Sequence, residues 1–269
     1  NGGRKMEETK SVKSLKKQLA AAIAMVCVAA IALGSSTYAW FVTNNKVDAT
    51  TTNISAQSNA AFMTITNGAT GASRVDTTSA TTTLGENAPY ALYPATFGEE
   101  TGSTKGTFMT AYGTTLDNGA ISGDLETVGT PDQANTKEFA KKEQFNISSK
   151  GQNLSNLQVE SVEVATAIAS DQLLGTALRV LVTNADGSKW VVYGLNAAAD
   201  AYEIKLSSED KNAVPTLGNI TAGQDTVVNV YLYYEGSDSN VKTRNLQDNK
   251  LTSSQSVKIN FTATADNKN

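Results

Sequence analysis

Histidine is absent from this chain of 269 residues, and cysteine occurs once, at Cys27. Without an imidazole the chain cannot build a Ser-His-Asp triad, a Cys-His pair, an HExxH zinc site or a histidine-ligated haem. A single cysteine cannot close a disulfide within the chain. We therefore predict that the protein is not an enzyme, and that it has no catalytic residue, no metal site and no cofactor.

Charge is also scarce, and positive charge most of all. Charged residues make up 18% of the chain, and its 22 Lys and Arg are outnumbered by 26 Asp and Glu. A protein that binds nucleic acid needs clustered positive charge, so nucleic acid is excluded as the main partner. What the chain has in abundance is Thr, Ser, Asn and Ala, which is typical of a secreted or surface β protein.

The first five residues, Asn-Gly-Gly-Arg-Lys, precede a plausible start methionine at Met6. Adjacent glycine codons can spell the purine-rich ribosome-binding signal of many bacterial messages. Residues 1–5 are therefore either upstream sequence translated in error or a genuine short N-terminus. In both cases we expect them to contribute nothing to the fold.

Residues 6–39 have the organisation of a secretory signal peptide. Residues 10–17 include four lysines, the first at Lys10 and the last at Lys17, and an apolar run follows from Leu19 to Leu33. As a helix this run is about 22 Å long at ~1.5 Å per residue, which is shorter than the ~30 Å hydrocarbon core of a bilayer. Thr37 and Ala39 place small residues at the −3 and −1 positions that a signal peptidase requires. We predict cleavage between Ala39 and Trp40.

The alternative is an uncleaved membrane anchor. No charged residue occurs between Lys17 and Lys46, so a tilted helix that continues through Trp40 and Phe41 has enough length to span a bilayer. Polar Ser and Thr at positions 35–37 weaken that interpretation. Cleavage and anchoring both place the rest of the chain outside the cytoplasm. If the signal peptide is cleaved, the chain contacts the membrane only transiently.

The mature chain must fold without a disulfide. Residues 1–39 carry six of the 22 basic residues, two of the 26 acidic residues and the only cysteine, so the part that remains has a net charge of −8. Such a chain depends on core packing alone, and it is long enough to do so as one large domain.

Alternating hydrophobicity dominates the C-terminal half and predicts β-strands. Ser256–Ala263 has one apolar and one polar face, as a half-buried strand does. Thr226–Tyr234 is apolar on both faces, which predicts a central strand covered on both sides. Leu178–Thr183 and Trp190–Tyr193 flank a turn-rich stretch at 184–188 and predict a β-hairpin.

The apolar positions of Leu157–Ala165 change from odd to even numbers partway along the segment. Leu157 and Val159 are odd, whereas Val162 and Val164 are even. A β-bulge between the two pairs would keep all four side chains on the core side of the strand.

One helix is predicted. It begins with Thr130 as N-cap, Pro131 at the first helical position and Gln133 at the capping-box position. The pattern allows it to run to about Lys142 as a surface insertion.

These elements predict an all-β fold: an antiparallel, jelly-roll-like two-sheet sandwich with long loop insertions and one short helix. Residues 67–130 are rich in Gly, Thr, Ser and Ala, and we interpret them as loops. The predicted organisation is a leader and signal peptide at 1–39, a mature N-terminal segment and possible donor strand at 40–49, a sandwich domain at 50–265 with a loop-rich insertion at about 67–150, and a tail at 266–269.

Two stretches of the chain resemble a known family. Residues 34–41, Gly-Ser-Ser-Thr-Tyr-Ala-Trp-Phe, followed by Lys-Val-Asp-Ala-Thr at 46–50, resemble the signal-peptide junction of the TasA/camelysin family of exported Gram-positive proteins. The run from Gly223 to Gly236 and the alternating strand Val257–Ala263 are similar to segments of SipW-dependent surface proteins. The resemblance covers 34–55 and about 177–263, and it is loose over 67–150.

The resemblance implies export by the Sec machinery, processing by a SipW-type signal peptidase, a jelly-roll-like sandwich and, in some members, assembly into extracellular matrix fibres. Camelysin-like members are described as surface metalloproteases. That activity is not carried over to this chain, because it has no histidine and no HExxH motif.

A mechanism of assembly follows from the chemistry of strand edges. An open sandwich exposes unpaired N–H and C=O groups to which an extended segment of a neighbour can add. Cleavage would free residues 40–47, which include the apolar Trp40, Phe41, Val42 and Val47. We predict that this segment inserts into the next copy and that the chain forms a homopolymer, with other matrix or cell-wall components as further partners. The alternative is that 40–47 form an edge strand of their own domain.

Two other features have alternative interpretations. Aromatic residues at Trp190, Tyr231, Tyr233 and Tyr234 are either core residues or a platform for carbohydrate, and the second would make the protein a monomeric surface adhesin. The acidic run 235–240, with Asp171, Asp186 and Asp225, either binds Ca²⁺ or consists of solvated loops. None of these carboxylates has EF-hand spacing.

Overall fold

The computed structural model describes residues 16–23, 25, 47–49, 53–58, 62–68, 79–83, 90–98, 105–110, 116–117, 120–121, 126–164, 176–198, 200–210, 212–238, 241 and 256–265. Residues 16–23 and Met25 are helical. Over the described ranges, no helix has both the length and the apolar character needed to cross a bilayer.

In the part of the chain that the structure describes, eighteen strands and the Pro131–Thr136 helix follow the N-terminal helical residues. In chain order the strands are β1 (Val47–Ala49), β2 (Asn53–Ser58), β3 (Met63–Asn67), β4 (Ser79–Thr83), β5 (Tyr90–Leu92), β6 (Thr96–Phe97), β7 (Phe108–Thr110), β8 (Leu116–Asp117), β9 (Ala120–Ile121), β10 (Glu126–Gly129), β11 (Lys141–Ser149), β12 (Leu154–Val164), β13 (Leu178–Asn184), β14 (Trp190–Leu195), β15 (Tyr202–Ser207), β16 (Gly218–Ile220), β17 (Thr226–Tyr234) and β18 (Ser256–Ala265).

Two sheets pack face to face as a sandwich. The six-stranded sheet has the order β15-β14-β13-β17-β11-β3, and the five-stranded sheet has the order β16-β12-β18-β2-β4. Buried side chains of both sheets form the main core, among them Phe145 and Val230 from the first sheet and Ile54, Ile259 and Phe261 from the second. The all-β sandwich with one short helix is therefore as predicted.

The prediction of purely antiparallel pairing is wrong at one place. Strands β2 and β18 run parallel, with Asn53 beside Ser256 and Ser58 beside Phe261. The first and last strands of the sandwich meet at the centre of the five-stranded sheet. Strand periodicity carries no information about the direction of a partner strand, so the sequence could not reveal this pair.

Strand β17 is central and covered on both faces, which confirms the prediction. It pairs with β13 on one side and β11 on the other. Val228, Val230 and Tyr234 face the main core, whereas Tyr231 and Tyr233 belong to a second buried cluster.

That second cluster lies under a third layer, on the other face of the six-stranded sheet. The layer consists of the three-stranded sheet β10-β7-β6 and the Pro131–Thr136 helix. It buries aromatic and aliphatic side chains of both layers: Ala95, Phe97, Phe108, Val128, Ala134, Ala140, Leu181, Trp190, Val192, Tyr231 and Tyr233. Part of the stretch interpreted from sequence as loops is therefore a folded cover. Its strands have two to four residues, which is too short for an alternating pattern to stand out.

The helix has the predicted start but an earlier end. Thr130 and Gln133 form the capping box, with Pro131 in the first turn. The helix ends at Thr136 rather than near Lys142, because Glu138 has the left-handed φ of 64° and the chain then enters β11. The loop-rich stretch likewise ends before 150, since Lys141–Ser149 is a nine-residue strand at the interior of the six-stranded sheet. The first four residues of β11, Lys-Lys-Glu-Gln, are polar, so the strand begins without the alternating apolar pattern that predicts a strand.

Two further local predictions are confirmed. The register between β12 and β18 shifts between Val159 and Ser161, so Leu157, Val159 and Val162 are all buried, whereas the side chain of Val164, the fourth predicted core residue, lies outside the described part. Strands β13 and β14 form the predicted hairpin, with Thr183 opposite Trp190 at its closed end.

Candidate assembly edges

The two sides of the sandwich differ in how their edge strands are built. Strands β15 and β16 end the two strand orders on one side, where β15 contacts β12, and β3 and β4 end them on the other side, where they contact each other. We call the first pair the protected side and the second pair the open side. An edge strand presents unpaired backbone groups, and natural proteins protect such edges with charge, bulges or brevity.

All three devices occur on the protected side. The register between β14 and β15 shifts between Val192 and Tyr193, which marks a bulge in the edge. Strand β15 also carries Glu203 and Lys205, whose side chains form an ion pair of 2.7 Å. Strand β16 has only three residues. Each feature disfavours the addition of a further strand.

The open side has none of these devices. Strand β3 is Met-Thr-Ile-Thr-Asn and strand β4 is Ser-Ala-Thr-Thr-Thr, without charge or proline. Strand β4 pairs with β2 in unbroken register from Ser79 to Thr83, and among the described strands β2 is its only partner. An uncharged, regular, β-branched edge is the type to which another strand adds most readily.

Of the predicted assembly residues, the structure describes only Val47. It opens strand β1, which pairs antiparallel with β5 so that Val47 is opposite Leu92. The other assembly residues, Trp40, Phe41 and Val42, lie outside the described residues, as do the cleavage residues Thr37 and Ala39.

Strand β5 is tied to the main body of the sandwich. Leu92 is buried in the main core. The backbone N–H of Tyr93 donates to the carbonyl of Glu138, and that of Ala95 donates to the carbonyl of Tyr234. The ladder between β1 and β5 therefore places Val47 at the end of the sandwich where β17 ends, at Tyr234.

The aromatic residues do not form a binding platform. Trp190, Tyr231 and Tyr233 are at most 3% exposed and lie beneath the third layer, where Tyr233 makes an edge-to-face contact with Phe108. Tyr234 is buried in the main core. Burial raises the pKa of Tyr233 and Tyr234 well above the ordinary value, so both phenols stay neutral. The interpretation of these four residues as core is confirmed, and the carbohydrate platform is wrong.

One polar cluster attaches the helix to the six-stranded sheet. The carboxylate of Asp132 accepts a hydrogen bond from the ammonium of Lys142 at 2.6 Å and another from the phenol of Tyr231 at 2.8 Å. The hydrogen bond from Lys142 holds the pKa of Asp132 below its ordinary value, against a smaller opposing effect of burial. These contacts connect the helix to β11 and β17 of the six-stranded sheet.

We expect Asp132→Asn to lower the free energy of unfolding at neutral pH by less than about 1 kcal/mol, because the carboxylate is largely exposed and screened by solvent. Since the pKa of Asp132 is lowered by folding, its contribution is complete above the ordinary carboxyl value near 3.9 and is lost as acid protonates the folded state. Denaturant titrations should therefore separate the variant from the parent at about pH 7 and bring them together near pH 2. Asp210→Asn, on the exposed loop after β15, is the matched control; a constant difference at both pH values would contradict the expectation.

Four of the acidic residues considered for Ca²⁺, Asp225 among them, take part in local contacts. Glu235 accepts hydrogen bonds from the side chains of Thr96 and Ser237, and Asp186 accepts from Ser188. Asp238 pairs with Arg179 at 3.5 Å. Asp171 lies outside the described residues. Within the described part of the chain, no group of three or more acidic, histidine or cysteine side chains is arranged to hold a metal ion.

Sequence reasoning missed β4, the strand that forms the open edge. Its signal was the run of three threonines at 81–83, which favours extended structure. The composition of residues 67–130, rich in Gly, Thr, Ser and Ala, favours loops instead, and that interpretation is wrong at β4. In comparisons with known proteins, no family model matches the chain and no curated protein matches it.

Proposed function

We propose that this chain is a secreted structural subunit of extracellular matrix or cell-surface fibres, matured between Ala39 and Trp40 and assembled through its N-terminal segment. The observation that carries the proposal is the asymmetry of the sandwich, with bulged, charged or short edges on one side and the regular, uncharged edge of β4 on the other. An edge left in this state in a secreted protein is expected either to aggregate or to have a specific partner strand.

The partner strand that we propose is residues 40–46 of a second copy. This segment reads Trp-Phe-Val-Thr-Asn-Asn-Lys, and its first four residues are strong strand formers. It directly precedes β1, which is attached to its own sandwich through β5. A segment tethered at one end and free at the other can add to β4 of the next copy by main-chain hydrogen bonds.

The proposed contact is heterologous, because it joins the N-terminal segment of one copy to the β4 edge of another. Contacts of this kind leave one unused donor and one unused acceptor at the ends of every assembly, so they produce open filaments unless the rotation closes into a ring. Filament growth with one type of subunit is therefore the natural outcome. The resemblance of residues 34–50 to the junction of the TasA/camelysin family supports the same function, with a SipW-type peptidase as the processing enzyme.

The test is the assembly state of purified protein that begins at Trp40. We expect size-exclusion chromatography to show a population that grows in size with protein concentration, and electron microscopy of the large fractions to show filaments of constant width. A sharp monomer over the whole concentration range would contradict the proposal. If that monomer also bound on a glycan array, a surface adhesin would replace the fibre subunit as the function.

A further inference from the structure

The parallel pair of β2 and β18 has a mechanical consequence. It is the one parallel pair among the strands that the structure describes, and six residue pairs are in continuous register, from Asn53 beside Ser256 to Ser58 beside Phe261. These two strands are also the first and last of the sandwich. Any force that is applied between the two ends of the sandwich must therefore pass through this ladder or disrupt the strands on either side of it.

The direction of the strands decides how that force acts. The chain enters β2 at Asn53, and it leaves β18 at Ala265, at the opposite end of the ladder. Tension between the N-terminal and C-terminal sides pulls β2 and β18 in opposite directions along their common axis. The interstrand hydrogen bonds are then loaded together in shear, whereas strands pulled apart from one end break their bonds one at a time.

The two strands are held on their other sides as well. In the five-stranded sheet β18 lies between β12 and β2, and β2 lies between β18 and β4. Their core-facing side chains are at most 1% exposed, namely those of Ile54, Ala56, Val257, Ile259 and Phe261. Sliding β2 past β18 would have to drag these side chains through a close-packed core, where even small displacements cost contact energy.

We propose that the β2–β18 ladder is a mechanical clamp that resists tension between the N-terminal side and the C-terminal side of the sandwich. The inference goes beyond the proposed fibre function and does not depend on it, because in the proposed filament force enters a copy at β4, which pairs directly with β2, and not at the C-terminal side. The resistance itself is a property of a single folded copy.

Force spectroscopy on single molecules tests the clamp. The chain from Trp40 onward has no cysteine, so introduced cysteines define the pulling points uniquely. In the shear geometry, one cysteine precedes Trp40 and one follows Asn269. In the peeling geometry, a cysteine at position 150 (Lys150→Cys) replaces the N-terminal one, and the C-terminal cysteine stays. Because Leu154 pairs with Ala265, the two pulling points then lie at the same end of the antiparallel ladder of β12 and β18.

We expect the shear geometry to unfold at a force several-fold higher than the peeling geometry, at the same pulling speed. Both variants should keep the melting temperature of the parent, because the handles lie outside the strands. Gln152→Cys, in the same turn as Lys150, is a second peeling handle in case the first variant does not fold. Equal forces in the two geometries, or a lower force in shear, would overturn the clamp.

The outcome is separable from that of the fibre proposal. A protein that stays monomeric but resists shear would retain the clamp and lose the fibre function. Filaments built from subunits that unfold at equal force in both geometries would support the fibre function and overturn the clamp. Forced unfolding is governed by the unfolding rate rather than by equilibrium stability, so the force difference need not be accompanied by a difference in unfolding free energy.

Discussion

A mature protein that begins at Val47 instead of Trp40 is expected to remain monomeric at concentrations at which the parent forms filaments. The truncation removes residues 40–46, the proposed donor segment, and leaves β1 and its pairing with β5 in place. Because the contact in the filament is proposed to consist of one added strand, its loss removes the interface rather than weakening it. Size-exclusion chromatography and electron microscopy across a concentration series measure the result, and an unchanged circular dichroism spectrum shows that the sandwich still folds.

The acceptor side of the same contact is tested by a change at β4. Thr81→Lys places a charge in the middle of the edge, at the register position beside Ser55, and a lysine on an edge strand disfavours the addition of another strand. Thr221→Lys, the same change at an exposed position after β16, is the matched control and should assemble like the parent. Normal filaments from both the truncated protein and Thr81→Lys would show that neither the segment nor the edge is used.

The sequence predicted the strands that have long, regular alternation and missed those that do not. Strands β17 and β18 and the β13–β14 hairpin were visible because their apolar positions repeat over six or more residues. The bulge in β12 was visible because its apolar residues change parity between Val159 and Val162. The third layer was not visible, because its strands have two to four residues. Some of its apolar side chains are covered by residues distant in sequence, as Phe97 is by Trp190.

Of the two parts of the proposed contact, only the donor segment was predictable from the sequence. The apolar, aromatic character of residues 40–42 can be seen without a structure, and it suggested a donor strand. The acceptor could not be seen, because an edge is a property of sheet order: β4 is an edge because, among the described strands, β2 is its only partner. The protection of β15 depends in the same way on a bulge that arises where β14 and β15 lose register.

Phe261→Ala is expected to lower the free energy of unfolding by about 3–5 kcal/mol, the usual cost of truncating a fully buried phenylalanine. Phe261 is completely buried, and its strand lies between Val159 of β12 and Ser58 of β2 at the centre of the five-stranded sheet. Phe62→Ala removes the same atoms from a side chain that is 48% exposed, so it should change stability by no more than about 0.5 kcal/mol.

Denaturant titration at equilibrium measures both Phe variants, and a cost for Phe261→Ala no greater than that for Phe62→Ala would contradict the assignment of the main core. The expected loss is a large part of the total free energy of unfolding, which is typically about 5–15 kcal/mol for a domain. From Trp40 onward the chain has no cysteine, so no disulfide within it offsets this loss of stability. The same side chain anchors β18, so Phe261→Ala should also lower the unfolding force in the shear geometry. A subunit without disulfides thus depends on one packed core both for its equilibrium stability and for its resistance to tension.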